Sequence, residues 1–482
     1  MSNPGKILFL NPPLSAAQRY GMLSSAGAVE PPLGLAYLAA VTRKLGLTTT
    51  ILDAQALGLE IETSVTQILD DNPDFLAITV PSAALSAAAA LAGMVKKANP
   101  LITVIVGGNH LSALAQKTLQ ENPCFDVGII GEGERTLEKL LAVLRVKGDL
   151  SSVAGVAFRS GNAIVMSPVC TRIDLLDDLP MPAFDLLPDI GRYYRPAAQS
   201  LMYLPSISLV TSRGCPGKCL FCDRKTFGHT IRMHGAEYVA DMMEKLYRDF
   251  GVRGVVFEDD NFMLSQERLE HLARLIIKRK IRVAWSALSR VDTINRDKIR
   301  IAKSCGCWQI LYGIESGSQK ILDFYQKGIT LSQIQKAVQL TKNNGLFSKG
   351  FIILGNPLES RQTLQETKRL VMGLPLDDIS ITYFTPYPGS EIWDQVARYG
   401  QFDTMNWDSL TCFDPVFIPH GLSKNEICDF QTEIYRAFYS RPSVIFSYVR
   451  RLRSLPQITA LYKSYRSFNE HLKIHPDAAT NN

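Results

Sequence analysis

No apolar run reaches the roughly 18 residues that a membrane-spanning helix needs, so no such helix is expected in these 482 residues. The opening Met1-Ser-Asn-Pro-Gly-Lys-Ile-Leu-Phe-Leu10 lacks the charged n-region and the cleavage site of a secretory signal, and reads as a first strand. No Gly-x-Gly-x-x-Gly opens a helix after a strand, so the dinucleotide fingerprint is missing. The net charge of +6 is mild and forms no patterned basic face, which argues against a nucleic-acid partner. The nine cysteines are not spread as a disulfide scaffold; they fit a reducing compartment, and a cytoplasmic location is expected. A hydrophobic share of 46% with 20% charged residues is that of a soluble globular chain with two or three domains.

What is present is a concentrated set of thiols. Cys215, Cys219 and Cys222 stand in Thr211-Ser-Arg-Gly-Cys-Pro-Gly-Lys-Cys-Leu-Phe-Cys222. Three thiolates on one short loop can ligate three irons of a [4Fe–4S] cluster. With no fourth cysteine in the run, one iron keeps a site for an exchangeable ligand and can do chemistry beyond electron transfer. The competing readings are chance clustering and a zinc knuckle, for which His229 and His234 follow at reachable positions. Structural zinc, however, usually takes four ligands in two separated pairs.

The first 148 residues alternate strand and helix patterns, with strands expected at Ile7–Leu10, Thr48–Leu52, Phe75–Val80, Ile102–Val106 and Asp126–Ile130. This is an α/β pattern of the Rossmann-like, flavodoxin type, in which ligands bind outside the carboxyl ends of the strands. The loops there are Asn11-Pro-Pro13, Pro31-Pro-Leu-Gly34, Pro81-Ser82, Gly107-Gly-Asn-His110 and Gly131-Glu-Gly-Glu134. Residues 149–200 read as a connector: a hairpin around Ser160-Gly-Asn162, then an extended, proline-rich linker over Asp174–Pro188. Residues 201–398 resume the alternation with six strands, making a partial (β/α)6 barrel whose first strand leads into the cysteine loop. Residues 399–482 turn mainly helical.

On these residues the chain resembles the cobalamin-binding radical S-adenosylmethionine (SAM) enzymes, of the class B methyltransferase kind, over residues 1 to about 400. The resemblance implies an N-terminal cobalamin-binding domain, a radical SAM barrel and three cofactors: a [4Fe–4S] cluster, SAM and cobalamin. It implies that Phe221, Asp260, Asn261, Ser286, Arg290, Glu315 in Tyr312-Gly-Ile-Glu-Ser-Gly317, and Gly350 in Gly350-Phe-Ile-Ile-Leu-Gly-Asn-Pro357 line the SAM site. The loop Thr385-Pro-Tyr-Pro-Gly-Ser390 resembles the one after the family's sixth strand. Pro32, Leu33, Gly34, Ser82, Gly107, Gly108, His110, Gly131 and Glu132 are the expected cobalamin contacts. The chain departs from the familiar Asp-x-His-x-x-Gly pattern, with Asn11-Pro-Pro13 after the first strand, so no histidine ligand to cobalt is expected. The departure also leaves open a domain that has lost cobalamin. For His110 the plain alternative is a cap on the helix that follows it.

The resemblance implies reductive cleavage of SAM to a 5′-deoxyadenosyl radical and, most commonly, methylation of an unactivated carbon of a small molecule through cobalamin. Its rivals are radical oxidation, cyclisation or ring rearrangement without methyl transfer, a methylthiotransferase, and a cobalamin-binding sensor or carrier with a vestigial barrel. An electron donor such as flavodoxin or ferredoxin is implied by the reductive step. Cys305 and Cys307 read as buried small residues or an accessory redox pair; Cys412 and Cys428 lie where a substrate-assisting thiol is sometimes placed. Arg436, Arg441, Arg450, Arg451, Arg453, Lys463 and Arg466 make a basic tail, either a solvated helical face or a peripheral membrane contact. Trp407, Tyr435, Phe438, Tyr439, Phe446 and Tyr448 suggest a ring-bearing or apolar substrate, or simply a packed core.

Overall fold

The computed structural model describes residues 5–452 except 22, 23, 25, 26, 169–171, 198, 199, 404 and 405, together with 458, 459, 461, 462 and 466. Arg453 and Lys463 of the basic tail therefore lie outside the described residues. Among those residues no helix is long and apolar enough to cross a membrane.

The first sheet contains β1 (Lys6–Asn11), β2 (Thr48–Asp53), β3 (Phe75–Thr79), β4 (Thr103–Gly107) and β5 (Val127–Ile129), all parallel, in the order β2-β1-β3-β4-β5. That is the flavodoxin order, whose direction reverses between β1 and β3, and a ligand crevice is expected at that reversal. The near-continuous apolar runs of β1, β3 and β4 are buried on both faces, as a parallel sheet covered by helices requires. The hairpin read from the sequence as a connector joins this sheet: β6 (Val156–Ser160) pairs antiparallel with β5, and β7 (Ala163–Met166) with β6. The linker after it is no free spacer. It winds through 3-10 turns at Leu176–Asp178 and Phe184–Leu186, and buries Ile173, Leu176 and Leu179 against Tyr37 of the first domain.

The second sheet starts with β8 (Ser206–Leu209). A two-residue ribbon, β9 (Ser212–Arg213) with β10 (Arg232–Met233), then brackets the cysteine loop. The sheet continues with β11 (Gly254–Phe257), β12 (Ala284–Ser289), β13 (Cys307–Glu315), β14 (Phe347–Leu354) and β15 (Asp378–Tyr383). All six large strands are parallel and adjacent in chain order, a half-barrel with helices outside. Side chains alternate across it. Ile207, Phe257, Ala287 and Ile310 enter the helix-facing core, while Ser208, Ser286 and Gln309 share one row on the inner face.

A half-barrel leaves open edges, and unpaired strand edges need cover. The helix Lys424–Tyr439 covers β15 with side chains that substitute for a seventh strand. Tyr435 Oη accepts from Ile381 N–H at 2.8 Å, Gln431 Nε2 donates to Ile381 O at 3.0 Å, and Tyr439 Oη donates to Ile379 O at 3.1 Å. Thus Tyr435, Phe438, Tyr439 and Tyr448 are packed against the barrel, and Trp407 packs on the first domain's core. Phe446 is 62% exposed. Tyr435→Phe strands the Ile381 donor in the core, which costs about 1–3 kcal/mol. We expect a lower denaturation midpoint, read by urea titration, with unchanged secondary structure at zero denaturant.

Candidate active site

Two glycines shape the loop that carries the thiols. Gly214 sits at φ +80°, where a Cβ would lie 2.3 Å from Thr230 O. Gly217 lies between the thiols: a Cβ there would stand 3.4 Å from Cys215 Sγ and 3.9 Å from Cys219 Sγ. The loop is held from both sides. Arg224 donates to Gly217 O at 2.7 Å and pairs with Glu391, while Leu220 N–H donates to Tyr325 O at 3.0 Å. Phe221 sits edge-on to Tyr325 with centroids 4.7 Å apart. The loop after β15 clasps it too, with Asp223 bridged to Ser390.

The charges suit thiolate ligands. The Cys219 thiol is pulled down to about 6 by a hydrogen bond from the Cys222 thiol; burial opposes this, and the Lys327 and Arg290 cations assist it. The same shared proton holds Cys222 up, and burial raises Cys215. Three soft thiols on one loop, with Gly217 beside two of them and the Lys327 and Arg290 cations acting on Cys219, suit the ligands of an iron–sulfur cluster. The imidazole of His234 is engaged elsewhere, with Nε2 on Tyr37 Oη at 3.1 Å and Nδ1 on Asp177 at 3.0 Å. Its ring is stacked on Tyr238, and burial lowers its pKa to about 4.

Around the thiols the structure gathers Phe221, Asp260, Arg290 and Glu315. Asp260, raised by burial, acts electrostatically on Cys215, and Arg290 acts on both Cys215 and Cys219. Glu315 ends β13 at φ +63°, a costly conformation for a residue with a Cβ. It is buried and pairs with Lys327 Nζ at 2.6 Å; a side chain at Gly313 would strike that pair. Asn261 serves the loop after β12: its Oδ1 accepts from Ser289 Oγ, Arg290 N–H and Thr293 Oγ. Ser286 is lower on the inner face, fully buried, and its Oγ has no protein partner, like both amide atoms of neighbouring Gln309. Gly350 is turned outward against Ile314 and Leu376. Lys327, Arg224 and Arg213 escaped the sequence reading, since neither Lys327 nor Arg224 has a spacing that marks it; Arg213 stood in the quoted motif itself.

A cavity of about 390 Å³ lies at the switch point of the first sheet. It is lined by Asn11, Pro32, Gly34, Gly107, Gly108, Gly131 and Glu132 from the first domain, and by Arg213, Thr226 and Phe227 from the cysteine loop. Gly34 has open space where a Cβ would project, and Gly108, at φ +109°, would press a Cβ on Val80 N and O. Gly34 thus presents bare backbone to the cavity, which suits close approach of a flat ligand such as a corrin face, while Gly108 is required by the neighbouring backbone at Val80. Asn11 is committed to Asp53 at 2.8 Å, and among the described residues no histidine lines the cavity. Ser82 and His110 bond each other at 3.0 Å, and the imidazole packs edge-on to Trp407. Burial lowers the His110 pKa to about 4, so it is neutral and buried rather than a cap. Leu33 packs against the barrel core.

Between the two domains a polar group converges around Arg19 and Glu30, which sequence reading did not single out. Glu30 accepts from Ser208 Oγ at 3.5 Å, and Arg19 and Glu30 border the cavity. Burial first, then the Glu30 charge, raises Glu258 at the end of β11 to about 8. Tyr387 and Cys412 stand within electrostatic reach of Arg19, and burial raises Cys412 to about 11. Cys305 and Cys307 are buried free thiols raised by burial. Cys428 is buried beside Tyr383.

The comparisons with known proteins agree with this construction. Residues 20–141 match the B12 binding domain and residues 209–371 the Radical SAM superfamily. An uncharacterised methyltransferase of Pyrococcus horikoshii is 32% identical over 91% of this chain and 94% of its own. The anaerobic magnesium-protoporphyrin IX monomethyl ester cyclase of Rubrivivax gelatinosus is 26% identical over 85% of this chain and 74% of its own. The radical SAM methyltransferase TsrM of Kitasatospora setae, solved with cobalamin and a [4Fe–4S] cluster, superposes with TM-score 0.71 at 14% identity, covering 98% of this chain and 100% of its own. The chain belongs to the cobalamin-dependent radical SAM enzymes, a family of methyltransferases and their relatives.

A carboxyl held at about 8 in the folded state and near its ordinary 4.5 when unfolded stays protonated longer in the fold. Its contribution to stability is therefore complete below about pH 4.5 and is lost progressively as pH rises through 8. Glu258→Gln removes that loss. Its melting temperature is expected to match wild type near pH 4.5 and to exceed it at pH 8.5, as read by calorimetry.

Proposed function

We propose that the protein is a cobalamin-dependent radical SAM C-methyltransferase acting on an unactivated carbon of a small molecule. One observation carries the reading: the cysteine loop supplies both the three thiols and, through Thr226 and Phe227, a wall of the corrin cavity. Bound there, the cofactors supply the electron that cleaves SAM to a carbon radical and the methyl group that is transferred. Cys215, Cys219 and Cys222 would hold the cluster. Asp260, Arg290 and Glu315 would meet SAM, with Lys327 fixing the Glu315 carboxylate. Pro32, Gly34, Gly107, Gly108 and Gly131 would bear on the corrin.

The substrate would lie between the domains, facing Glu30, Ser208 and Glu258, where convergent polar groups of shifted pKa mark a binding site. Burial holds the Glu258 carboxyl up, and its protonated form would donate a hydrogen bond, while Arg19 would offer a positive charge and Cys412 a thiol. An electron donor of the flavodoxin or ferredoxin kind would reduce the cluster. A membrane contact would use exposed apolar residues of the tail such as Ile445, Phe446 and Val449 beside Arg450.

A cyclase reading stands second, on the likeness to the magnesium-protoporphyrin enzyme. The test is anaerobic reconstitution with iron, sulfide and hydroxocobalamin, desalting, and incubation with reductant and methyl-labelled SAM. We expect a retained corrin spectrum and 5′-deoxyadenosine, with cleavage lost in Cys215→Ala, and label transferred to carbon once a substrate is supplied. Turnover of that substrate to an unlabelled, oxidised product would give the cyclase reading the field. Absence of iron uptake would overturn both.

A further inference from the structure

Among the contacts between the two domains, one set of buried ion pairs falls on the cysteine loop. Arg213, two residues before Cys215, sits between Glu132 at 3.1 Å and Glu134 at 2.5 and 3.2 Å. At the loop's far end Arg232 pairs with Glu132 at 2.5 Å. All four side chains are less than a tenth exposed. Glu132 and Gly131 also line the corrin cavity, and in the middle of the loop Thr226 Oγ donates to Asn109 Oδ1 of the same cavity wall at 3.3 Å. The loop that would carry the cluster is thus tied by ion pairs at both ends, and by a hydrogen bond between them, to the wall that would carry the corrin.

Buried ions cannot be pulled apart without leaving an unpaired charge out of water, which is strongly unfavourable. The Glu132–Glu134 segment and the cysteine loop are therefore constrained to move together. Iron ligation fixes Cys215, Cys219 and Cys222 relative to one another, and with them the loop that presents Thr226 and Phe227. A cavity whose wall is already ordered binds its ligand with less entropic loss. We propose that cobalamin binding and cluster assembly are thermodynamically coupled in this protein, through the contact of Arg213 and Arg232 with Glu132 and Glu134. The inference rests on the cofactor assignment above. By linkage the coupling is reciprocal: whatever factor the cluster adds to corrin affinity, the corrin adds to iron retention. In this reading Glu132 and Glu134 are positioning residues rather than cofactor ligands.

The test is an anaerobic titration with hydroxocobalamin, followed by absorbance, of the reconstituted protein and of the same protein stripped of iron by a chelator. We expect the cluster-bearing form to bind at least about fivefold more tightly, the lower end of ordinary coupling. In Glu134→Gln and Arg213→Lys the ratio between the two forms falls toward one. In Asp185→Asn, which removes a surface pair with Arg43, the ratio stays at the wild-type value. In an equilibrium competition with a chromogenic chelator, the concentration needed to remove half of the iron should rise by the matching factor when cobalamin is present. Equal corrin affinity with and without the cluster overturns the coupling and leaves the cofactor assignment standing. An undiminished ratio in both clamp variants overturns the route through these four residues. No corrin binding by either form overturns the assignment and the coupling together. The wild-type comparison needs no substituted protein, so misfolding of a variant does not protect the idea.

Discussion

Arg213 joins the cysteine loop to the first domain through two buried carboxylates. Burial lowers the pKa of its guanidinium; the Glu134 and Glu132 carboxylates outweigh that and raise it. Its flat face lies over Tyr37 and Phe227, centroids 5.6 and 5.4 Å away, so apolar walls as well as carboxylates fix it. A buried ion pair of this kind adds little net stability relative to a well-packed apolar contact. What it adds is register. A bidentate fork accepts a carboxylate in few orientations, and here the fork is two residues from the first cluster thiol. The orientation of the cobalamin domain and the position of the cysteine loop are set by the same atoms.

The rest of the architecture serves the opening that this contact spans. A half-barrel of six strands leaves its inner face accessible, at the cost of exposed edges. The helix Lys424–Tyr439 closes the β15 edge, and the linker after the hairpin covers the domain seam through Tyr37, Ile173 and Leu176. The polar inner row of Ser208, Ser286 and Gln309 would be a defect in an ordinary core, because buried polar atoms are costly without partners. In a half-barrel that receives a polar ligand from above, the same row becomes a floor.

The sequence made the local order of elements plain and their spatial joins obscure. Apolar runs such as Phe75–Thr79 and Val104–Val106 betray parallel strands because both faces are buried. The three thiols betray the cluster loop because their spacing is set by one metal group. The hairpin was legible as a hairpin, but not as the edge of the first sheet, since pairing with β5 leaves no signal in either strand alone. Gly350 and Ser286 illustrate the same limit: strand position was readable, while the direction of the residue depends on register with neighbours. His110 and Ser82 satisfy each other and Trp407, a residue about 300 positions further on. Lys327 gave no signal because its partner, Glu315, lies across a helix and a turn.

Glu315 and Lys327 show how strain and charge combine at the centre of the site. The backbone at Glu315 occupies a left-handed conformation that a side chain disfavours by about 1–3 kcal/mol, following the irregularity in pairing between Gly313 and Glu315. The ion pair with Lys327 is the compensation. Lys327, fully buried, is kept above its ordinary pKa by Glu315 and Cys219 against the effect of burial. One cation therefore faces two acidic groups, the Glu315 carboxylate and the Cys219 thiol. Taking Lys327 away would leave both acidic groups buried and opposed, so the strained turn, the carboxylate and the thiol depend on a single ammonium group. The chain can hold acidic groups close together here because it commits that charge to the space between them.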